Sequence, residues 1–306
     1  LVLGPVLVHF GGLQLIFIVT GILSLAGIAL MLSLVPTPAR KKHRDGSAIV
    51  SEVFKQLGNG QLWPLNIGIF ILHALMVAMF VSIPPQLVQA GLTLDQHAWL
   101  YLPVLLIAFV LMVPFVIIAE KKKQMKGIVI VALGIMILAL ILMSQAMGVW
   151  AWAIALGVFF WAFNIMEATL PSWLSKVAPA GAKGSAMGIY STLQFLGAFA
   201  GGLVGGWLNN HFGIEGLFLI LAAAVFAWAL LVIVTPKPAH LNSVRVDILN
   251  QGGNEDQSSL YLDALINLKG VADAILIAEE HAIYLKVDAS VFDYQQAMAT
   301  VNSLGE

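Results

Sequence analysis

The sequence has 306 residues with a formal net charge of −1; 60% of them are hydrophobic and only 10% are charged. Soluble domains usually carry about 25% charged residues, so this composition predicts an integral membrane protein. The absence of cysteine from the sequence excludes disulfides, thiolate metal sites and cysteine catalysis.

The chain opens inside an apolar run that we interpret as the end of one membrane helix and its turn, residues 1–12. Because the first residue is Leu1 rather than Met, we expect the chain to be the C-terminal part of a longer protein. Residues 13–35 then form a full apolar span that two prolines end. The basic cluster at 40–44 marks the cytoplasmic side by the positive-inside rule.

A cytoplasmic linker, residues 36–61, is predicted to contain a short amphipathic helix on the inner membrane surface. Further spans follow, each near the ~20 residues that cross a bilayer. They cover residues 62–84, 97–119, 127–147, 150–173, 186–208 and 215–235. The loops predicted to lie outside contain no Lys or Arg, whereas the inner loops carry lysines. This pattern places the C-terminus in the cytoplasm.

The tail of the chain differs from the bundle in charge. Residues 1–239 hold 12 Lys and Arg against 6 Asp and Glu, whereas residues 240–306 hold 3 against 10. After a linker at 236–242, the pattern over 243–306 predicts elements in the order β-α-β-β-α, one strand short of a ferredoxin-like unit. The predicted fold class is an all-α polytopic membrane bundle plus a small α+β ferredoxin-like cytoplasmic domain.

The span from Trp150 to Trp173 holds a single carboxylate, Glu167. Trp161 and Asn164 recur with it on one helical face, which we expect to point into the bundle. An acid within a membrane span is costly, so Glu167 is either a proton-coupling site or a structural charge that acts in an inner gate. It lies ~9 Å from the predicted inner end of the span, which favours the gate.

Two neighbouring spans carry polar residues at a similar depth. Tyr190 and Gln194 share a stripe with glycines that we interpret as helix packing, and their depth matches that of Glu167. His73 lies near the middle of its span and is either a hydrogen-bonded core histidine or a proton relay or substrate contact. Candidates for substrate binding or proton coupling are therefore His73, Trp161, Asn164, Glu167 and Gln194.

Polar and charged residues in the inner halves of the spans and at their inner ends are candidates for gating. These are Glu167, Tyr190, Glu120, Lys121 and Lys122, although the lysines also serve as topology charges and lipid contacts. The acidic tail lies beside basic inner loops, so we expect it to dock on residues 40–44 or 121–126 and to bias one conformational state.

The run from Pro179 to Gly197, PAGAKGSAMGIYSTLQFLG, resembles the loop and following helix near the end of major facilitator transporters. Gly4-Pro5 followed by Gly11-Gly12 resembles the end of the fifth helix in the drug:proton antiporter branch. The resemblance implies that residues 1–12 end helix five, 13–35 are helix six and 62–235 are helices seven to twelve. Two departures stand against it: Val8 and His9 replace the usual glycines after Gly-Pro, and the loop at Glu120 lacks the leading glycine.

The leading hypothesis is the C-terminal part of a proton-coupled exporter of small amphiphilic compounds in the bacterial inner membrane, working by alternating access. Its partners would be protons, substrate, the lipid bilayer and the N-terminal half of the same transporter. The alternative is a non-transporting membrane sensor whose soluble tail binds a ligand. No phosphate-binding, GxSxG or HExxH motif occurs in the sequence, so we expect no enzyme activity, cofactor, metal site or nucleic-acid partner.

Overall fold

The structure is a computed structural model that describes residues 3–36, 50–237, 241–248, 255–277 and 282–304. Helices dominate it, and a small sheet follows them near the end of the chain. The helices are α1 (Leu3–Leu34), α2 (Val50–Leu57), α3 (Trp63–Gln89), α4 (His97–Lys121), α5 (Met125–Ser144), α6 (Gly148–Val177), α7 (Lys183–Val234), α8 (Glu255–Ile266) and α9 (Tyr294–Ser303). The strands are β1 (Asn242–Asp247), β2 (Val271–Ile277) and β3 (Ala282–Val287).

Six helices in the described part of the chain are long and apolar enough to cross a membrane: α1 and α3 to α7. Helix α7 has 52 residues and contains two of the predicted spans, 186–208 and 215–235. They are separated at Gly213, whose φ of +69° and ψ of −178° interrupt the helical conformation. Because only glycine adopts this geometry without strain, the break is specified by the sequence.

The bundle is held together by an unusually close contact between α3 and α7. A Cβ atom on Gly197 or Gly201 would overlap the carbonyl oxygen of Phe70 or Ala74 on α3. Small residues let helix backbones approach one another in lipid, where no hydrophobic force drives helices together. The glycine stripe therefore fixes α7 directly against α3.

Helix α1 differs from the others in its surroundings. None of the side chains in the most apolar stretch of its span, Phe10–Leu34, is buried in the structure. Its backbone also breaks at Gly12, with φ of +65°, between the predicted helix end and the next span. The basic cluster at 40–44 lies outside the described residues.

The three strands form an antiparallel sheet in the order β1-β3-β2, with β3 in the centre. Residues Ile283, Leu285 and Val287 of β3 belong to a core that includes Leu265 of α8 and Val301 of α9. Alternate residues of a strand face opposite sides, so these three point toward the helices. The described elements follow the predicted order β-α-β-β-α.

The opposite face of β3 packs on the membrane bundle. Ala282 and Tyr284 are buried in a cluster with Ile277 and with Ala180, which lies between α6 and α7. The next residue on this face, Lys286, is 2% exposed and donates to the carbonyl oxygen of Ser175 over 3.1 Å. The central strand is therefore covered on both sides, by its own helices and by the bundle.

Helix α6 extends further than the sequence suggested. It ends at Val177 rather than near Trp173, because the next residue that breaks a helix is Pro179 and Pro171 is accommodated within it. At 1.5 Å per residue, Glu167 lies ~15 Å from this helix end, which is beyond the predicted inner end of the span.

Candidate functional site

Three polar residues from three helices meet inside the bundle. We call His73 (α3), Glu167 (α6) and Gln194 (α7) the intramembrane cluster. Gln194 Nε2 lies 2.8 Å from His73 Nε2 and 3.4 Å from Glu167 Oε1. The imidazole and the carboxylate also approach each other, with 3.8 Å between His73 Nε2 and Glu167 Oε2. One amide group thus bridges two titratable side chains.

Both ring nitrogens of His73 have a hydrogen-bonding partner. Its Nδ1 lies 3.3 Å from the carbonyl oxygen of Ile69, a group that only accepts, so Nδ1 carries a hydrogen. Nε2 of the neutral ring is then left to accept from the Gln194 amide, whose second hydrogen points to Glu167. These contacts suit the neutral tautomer of His73 that carries its hydrogen on Nδ1.

The surroundings of the cluster make its charge state important. His73 is buried and packs edge-on against Phe163, with ring centroids 5.8 Å apart. The Glu167 side chain is 41% exposed, but its Oε2 atom is buried and accepts no hydrogen bond from the described part of the chain. A buried charge without a full set of partners is costly. A proton arriving at His73 would supply the missing donor.

The other predicted site residues lie at different distances from this centre. Tyr190 is buried one helical turn before Gln194 and lies near Glu167. Asn164 is half-buried one turn before Glu167. Trp161 faces α4: its indole donates to the carbonyl oxygen of Leu111 over 3.1 Å. The structure thus brings His73, Glu167 and Gln194 into contact and places Trp161 in a helix-packing contact.

A second polar group lies at the far end of α6. We call Glu120, Ser172, Ser175, Lys176 and Lys286 the α6-end cluster. The carboxylate of Glu120, at the end of α4, accepts hydrogen bonds from the Ser172 hydroxyl and the Lys176 ammonium. Lys286 of β3 donates to Ser175. This cluster joins α4, α6 and the sheet at one point.

Four lysines follow Glu120 at the end of α4 and the start of α5, and two of them, Lys121 and Lys122, are gating candidates. Lys121 and Lys122 are exposed at the end of α4. Lys123 Nζ lies 3.9 Å from Asp288 Oδ1, just after β3. Lys126 donates to the carbonyl oxygens of Ile233 and Thr235, which satisfies the end of α7.

A separate, apolar cavity of about 760 Å³ opens between α4 and α6. Two tryptophans, Trp99 and Trp150, and the side chain of Gln96 form part of its wall. None of the polar candidates predicted from the sequence lines it. Pockets that bind small molecules are typically apolar with few polar groups, and this cavity has that character.

Three residues of the α6-end cluster were not predicted as site residues from the sequence: Ser172, Ser175 and Lys286. The two serines looked like ordinary helix-end residues, and their role depends on what packs against α6. For Lys286 a signal existed: it shares the period-2 face of Ala282 and Tyr284 in a strand whose other face is wholly apolar. A Tyr and a Lys on one such face are compatible with a buried contact as well as with solvent.

These observations describe a polytopic helical membrane protein with a polar cluster within its bundle. The sequence model of the Major Facilitator Superfamily matches residues 1–202 and 168–252, and the chain belongs to this family. The family resemblance inferred from the sequence is therefore confirmed.

Among its relatives, the chain is 37% identical over 304 residues to the inner membrane transport protein YajR of Escherichia coli K12, covering 97% of this chain and 66% of YajR. It is also similar to two transporters of Buchnera aphidicola. The one from the Acyrthosiphon pisum subspecies is 32% identical over 65% of this chain and 52% of its own length. The one from the Baizongia pistaciae subspecies is 26% identical over 69% and 55%, respectively. The chain thus spans between half and two thirds of these relatives, which are all named as transporters.

Proposed function

We propose that the chain is part of a proton-coupled secondary active transporter of the bacterial inner membrane that exports small amphiphilic compounds by alternating access. The observation that carries this proposal is the bridge of Gln194 between His73 and Glu167. Sequence similarity to named transporters supports a transport function. The titratable residues of the intramembrane cluster support protons as the coupling ion.

The chemistry of the cluster links a proton to the contacts of three helices. When His73 takes up a proton at Nε2, this atom becomes a donor and can no longer accept from Gln194. The imidazolium then attracts Glu167, whose Oε2 lies 3.8 Å away. Gln194 must reorient or withdraw from the pair. Proton binding therefore changes how α7 is held against α3 and α6.

Loss of the hydrogen bond between Gln194 and His73 on protonation can drive alternating access, because the inward-facing and outward-facing states would then differ in proton affinity. Because the glycine stripe fixes the backbone of α7 to that of α3, the rearrangement is one of the side chains at this contact. Glu167 lies within a helix long and apolar enough to span the membrane, which is compatible with proton coupling and with an inner gate. Asn164 and Tyr190 remain candidates for substrate contact and gating beside it.

The apolar cavity between α4 and α6 supports the proposed substrate class. A wall with two tryptophans and one amide side chain suits a compound with an apolar body and few polar groups. In the proposed transporter, this chain supplies one six-helix half and the N-terminal half of the same protein supplies the other.

We further propose that residues 243–306 form a ferredoxin-like regulatory domain on the cytoplasmic side. The antiparallel order β1-β3-β2 and the element order β-α-β-β-α support this fold. The lysines at 121–126 support the orientation, because inner loops carry positive charge. Contacts of Lys286 with Ser175 and of Asp288 with Lys123 support docking of the acidic tail on the inner end of the bundle.

The test is dye efflux from proteoliposomes holding the full-length transporter, driven by an imposed pH gradient. We expect efflux to require the gradient. The Gln194→Leu variant should still bind dye but couple about tenfold less efficiently, since a hydrogen bond to charged groups contributes roughly 1.5–3 kcal/mol. Thr192→Ala is the matched control, because its hydroxyl bonds only within α7. Dye binding without any gradient-driven movement would favour the membrane sensor instead.

A further inference from the structure

Three polar atoms around the intramembrane cluster have no hydrogen-bonding partner among the described residues. They are Oε2 of Glu167, the hydroxyl of Tyr190 and Oδ1 of Asn66. Asn66 and Tyr190 are almost wholly buried, with 2% and 3% of their surface exposed. Buried polar groups nearly always have a partner, and ordered water supplies it where the protein does not. These atoms therefore mark a part of the bundle that suits water.

Tyr190 lies between the intramembrane cluster and one end of the bundle. We call this end, on which the sheet packs around Ala180, the sheet end. Helix α7 begins just after it, at Lys183, and Tyr190 lies one turn nearer to it than Gln194. Tyr190 is also close to Glu167. A proton that moves from the sheet end to Glu167 would pass Tyr190.

Asn66 lies on the same side of the intramembrane cluster, on α3. It precedes His73 by seven residues, or two helical turns, so both lie on one face of α3, ~10.5 Å apart along the helix. Helices α3 and α7 run in parallel here, because their contacts advance together along both helices. Gly197 lies against the backbone of Phe70, which places Asn66 within about one turn of the depth of Tyr190. Two neighbouring helices therefore each supply a buried polar group on the sheet-end side.

The opposite side of the intramembrane cluster is aromatic. Phe163 packs edge-on against His73, and Phe160 lies between Phe163 and Phe80, with ring centroids 6.5 Å and 5.9 Å apart. Phe80 follows His73 by seven residues and shares its face of α3. Phenylalanine side chains have no hydrogen-bonding group. Along this face, polar groups thus lie toward the sheet end and apolar groups lie away from it.

We propose that ordered water joins Asn66 and Tyr190 to Glu167 and forms a proton path from the sheet end of the bundle. About four hydrogen bonds of ~2.8 Å span the ~10.5 Å between the levels of Asn66 and His73. Along the path each water molecule accepts one proton and passes on another, and Glu167 Oε2 accepts the last. His73 Nε2, 3.8 Å from Oε2, can then receive it. The inference rests on the proton coupling proposed above.

The path gives protons and substrate separate approaches to Glu167. The side chain of Glu167 is 41% exposed in this chain, whereas its Oε2 atom is buried. A compound can approach the exposed part of the side chain while protons reach Oε2 from within the bundle. The two therefore need not share one opening.

The first experiment tests for water by hydroxyl-radical footprinting of the full-length transporter in lipid nanodiscs. Radicals formed from water oxidise the side chains that water touches, and mass spectrometry locates the oxidised residues. Tyr190 and Phe160 are a matched pair, because each is 3% exposed. We expect Tyr190 to be oxidised faster than Phe160 after correction for the reactivity of the free amino acids. Equal corrected rates would overturn the proposal.

The second experiment measures dye efflux from proteoliposomes driven by a pH gradient. Tyr190→Phe and Asn66→Leu each remove a polar group of the path and should slow this efflux roughly tenfold, the factor that corresponds to one hydrogen bond. Exchange of dye at equal pH on both sides needs no net proton movement and should keep its rate. Ser82→Ala is the control, because its hydroxyl is also buried without a partner within the described chain but lies on the opposite face of α3.

The outcomes separate this inference from the proposed function. If the unsubstituted transporter shows no gradient-driven efflux, the proposed function fails and the path fails with it. If it does show such efflux and both variants match its rate, the path alone is overturned. Loss of dye exchange together with efflux would also overturn the path, since the side chains would then serve the substrate step or the fold.

Discussion

The two polar clusters on α6 hold their neighbours by different means. In the intramembrane cluster, a neutral amide joins an imidazole to a single carboxylate. In the α6-end cluster, the carboxylate of Glu120 meets the ammonium of Lys176 directly, and a second lysine, Lys286, reaches a backbone carbonyl. One cluster has room for a proton to change its bonding, whereas the other already has its charges paired.

This difference follows from the surroundings of each cluster. Charges in the membrane interior are costly, so an ionisable side chain there needs polar partners, and Gln194 is such a partner for Glu167. At the end of the helix water is near, and ion pairs form at little cost but also contribute little. In the proposed transporter, a single helix therefore carries a proton-sensitive contact and a fixed contact, separated by only a few turns.

The largest expected effect comes from removing the acid of the intramembrane cluster. Glu167→Gln keeps the shape and a hydrogen-bond acceptor but removes the titratable charge, so proton-driven efflux should fall ~100-fold while substrate binding persists. Glu120→Gln is the matched control in the α6-end cluster and should cost far less. Should Glu167→Gln keep its proton coupling and shift only the balance of inward- and outward-facing states, Glu167 acts as a gate.

Next in size is the packing that carries the cluster. Gly201→Ala places a Cβ against the Ala74 carbonyl, and such overpacking should lower stability by about 1–3 kcal/mol. Gly206→Ala on the same helix has open space around its Cβ and should be neutral or slightly stabilising. Thermal melting in nanodiscs compares the two. Equal melting temperatures of the two variants would mean that the close contact of α3 and α7 does not contribute to stability.

Much of this arrangement could be predicted because helices in membranes have simple geometry. Counting residues along each span placed Gln194 and Glu167 at one depth, and the structure brings them within hydrogen-bonding distance. The contact of His73 with both could not be predicted, since it depends on which helices are neighbours. Helix α6 continues past the predicted end of its span at Trp173, to Val177.

The residues that the sheet contacts on the bundle could not be predicted from the sequence, for a different reason. A strand pattern shows which residues share a face but not what covers that face. Lys286 would be solvated on a free sheet, and only contact with the end of α6 buries it. Tyr284 on the same face is buried for the same reason. The fold of the tail followed from local patterns, whereas its position depended on the whole molecule.

A third prediction concerns the link between sheet and bundle. Lys286→Met keeps the length of the side chain but loses the hydrogen bond to the Ser175 carbonyl and the favourable charge at a helix end. Docking should weaken by about 1–2 kcal/mol. Cross-linking between cysteines at 123 and 288 measures this loss, with Lys269→Met as an exposed control. Unchanged cross-linking would show that the apolar contact of Tyr284 alone holds the sheet.

The smallest effect should come from the Glu120–Lys176 pair, and it gives the sharpest test of the comparison. The carboxylate side chains of the two clusters are equally exposed, at 40% for Glu120 and 41% for Glu167, so position and not exposure separates the pairs. The Glu120–Lys176 pair lies at the helix ends, where water is near, and should couple by only about 0.2–1 kcal/mol in a double-mutant cycle of Glu120→Gln and Lys176→Met. Added salt should weaken this coupling. The corresponding cycle of His73→Gln and Glu167→Gln should be larger and less sensitive to salt, because that pair lies within the membrane-spanning helices. If both cycles gave the same coupling and the same salt dependence, the two clusters would share one electrostatic environment, and α6 would lose its division into a proton-sensitive and a fixed contact.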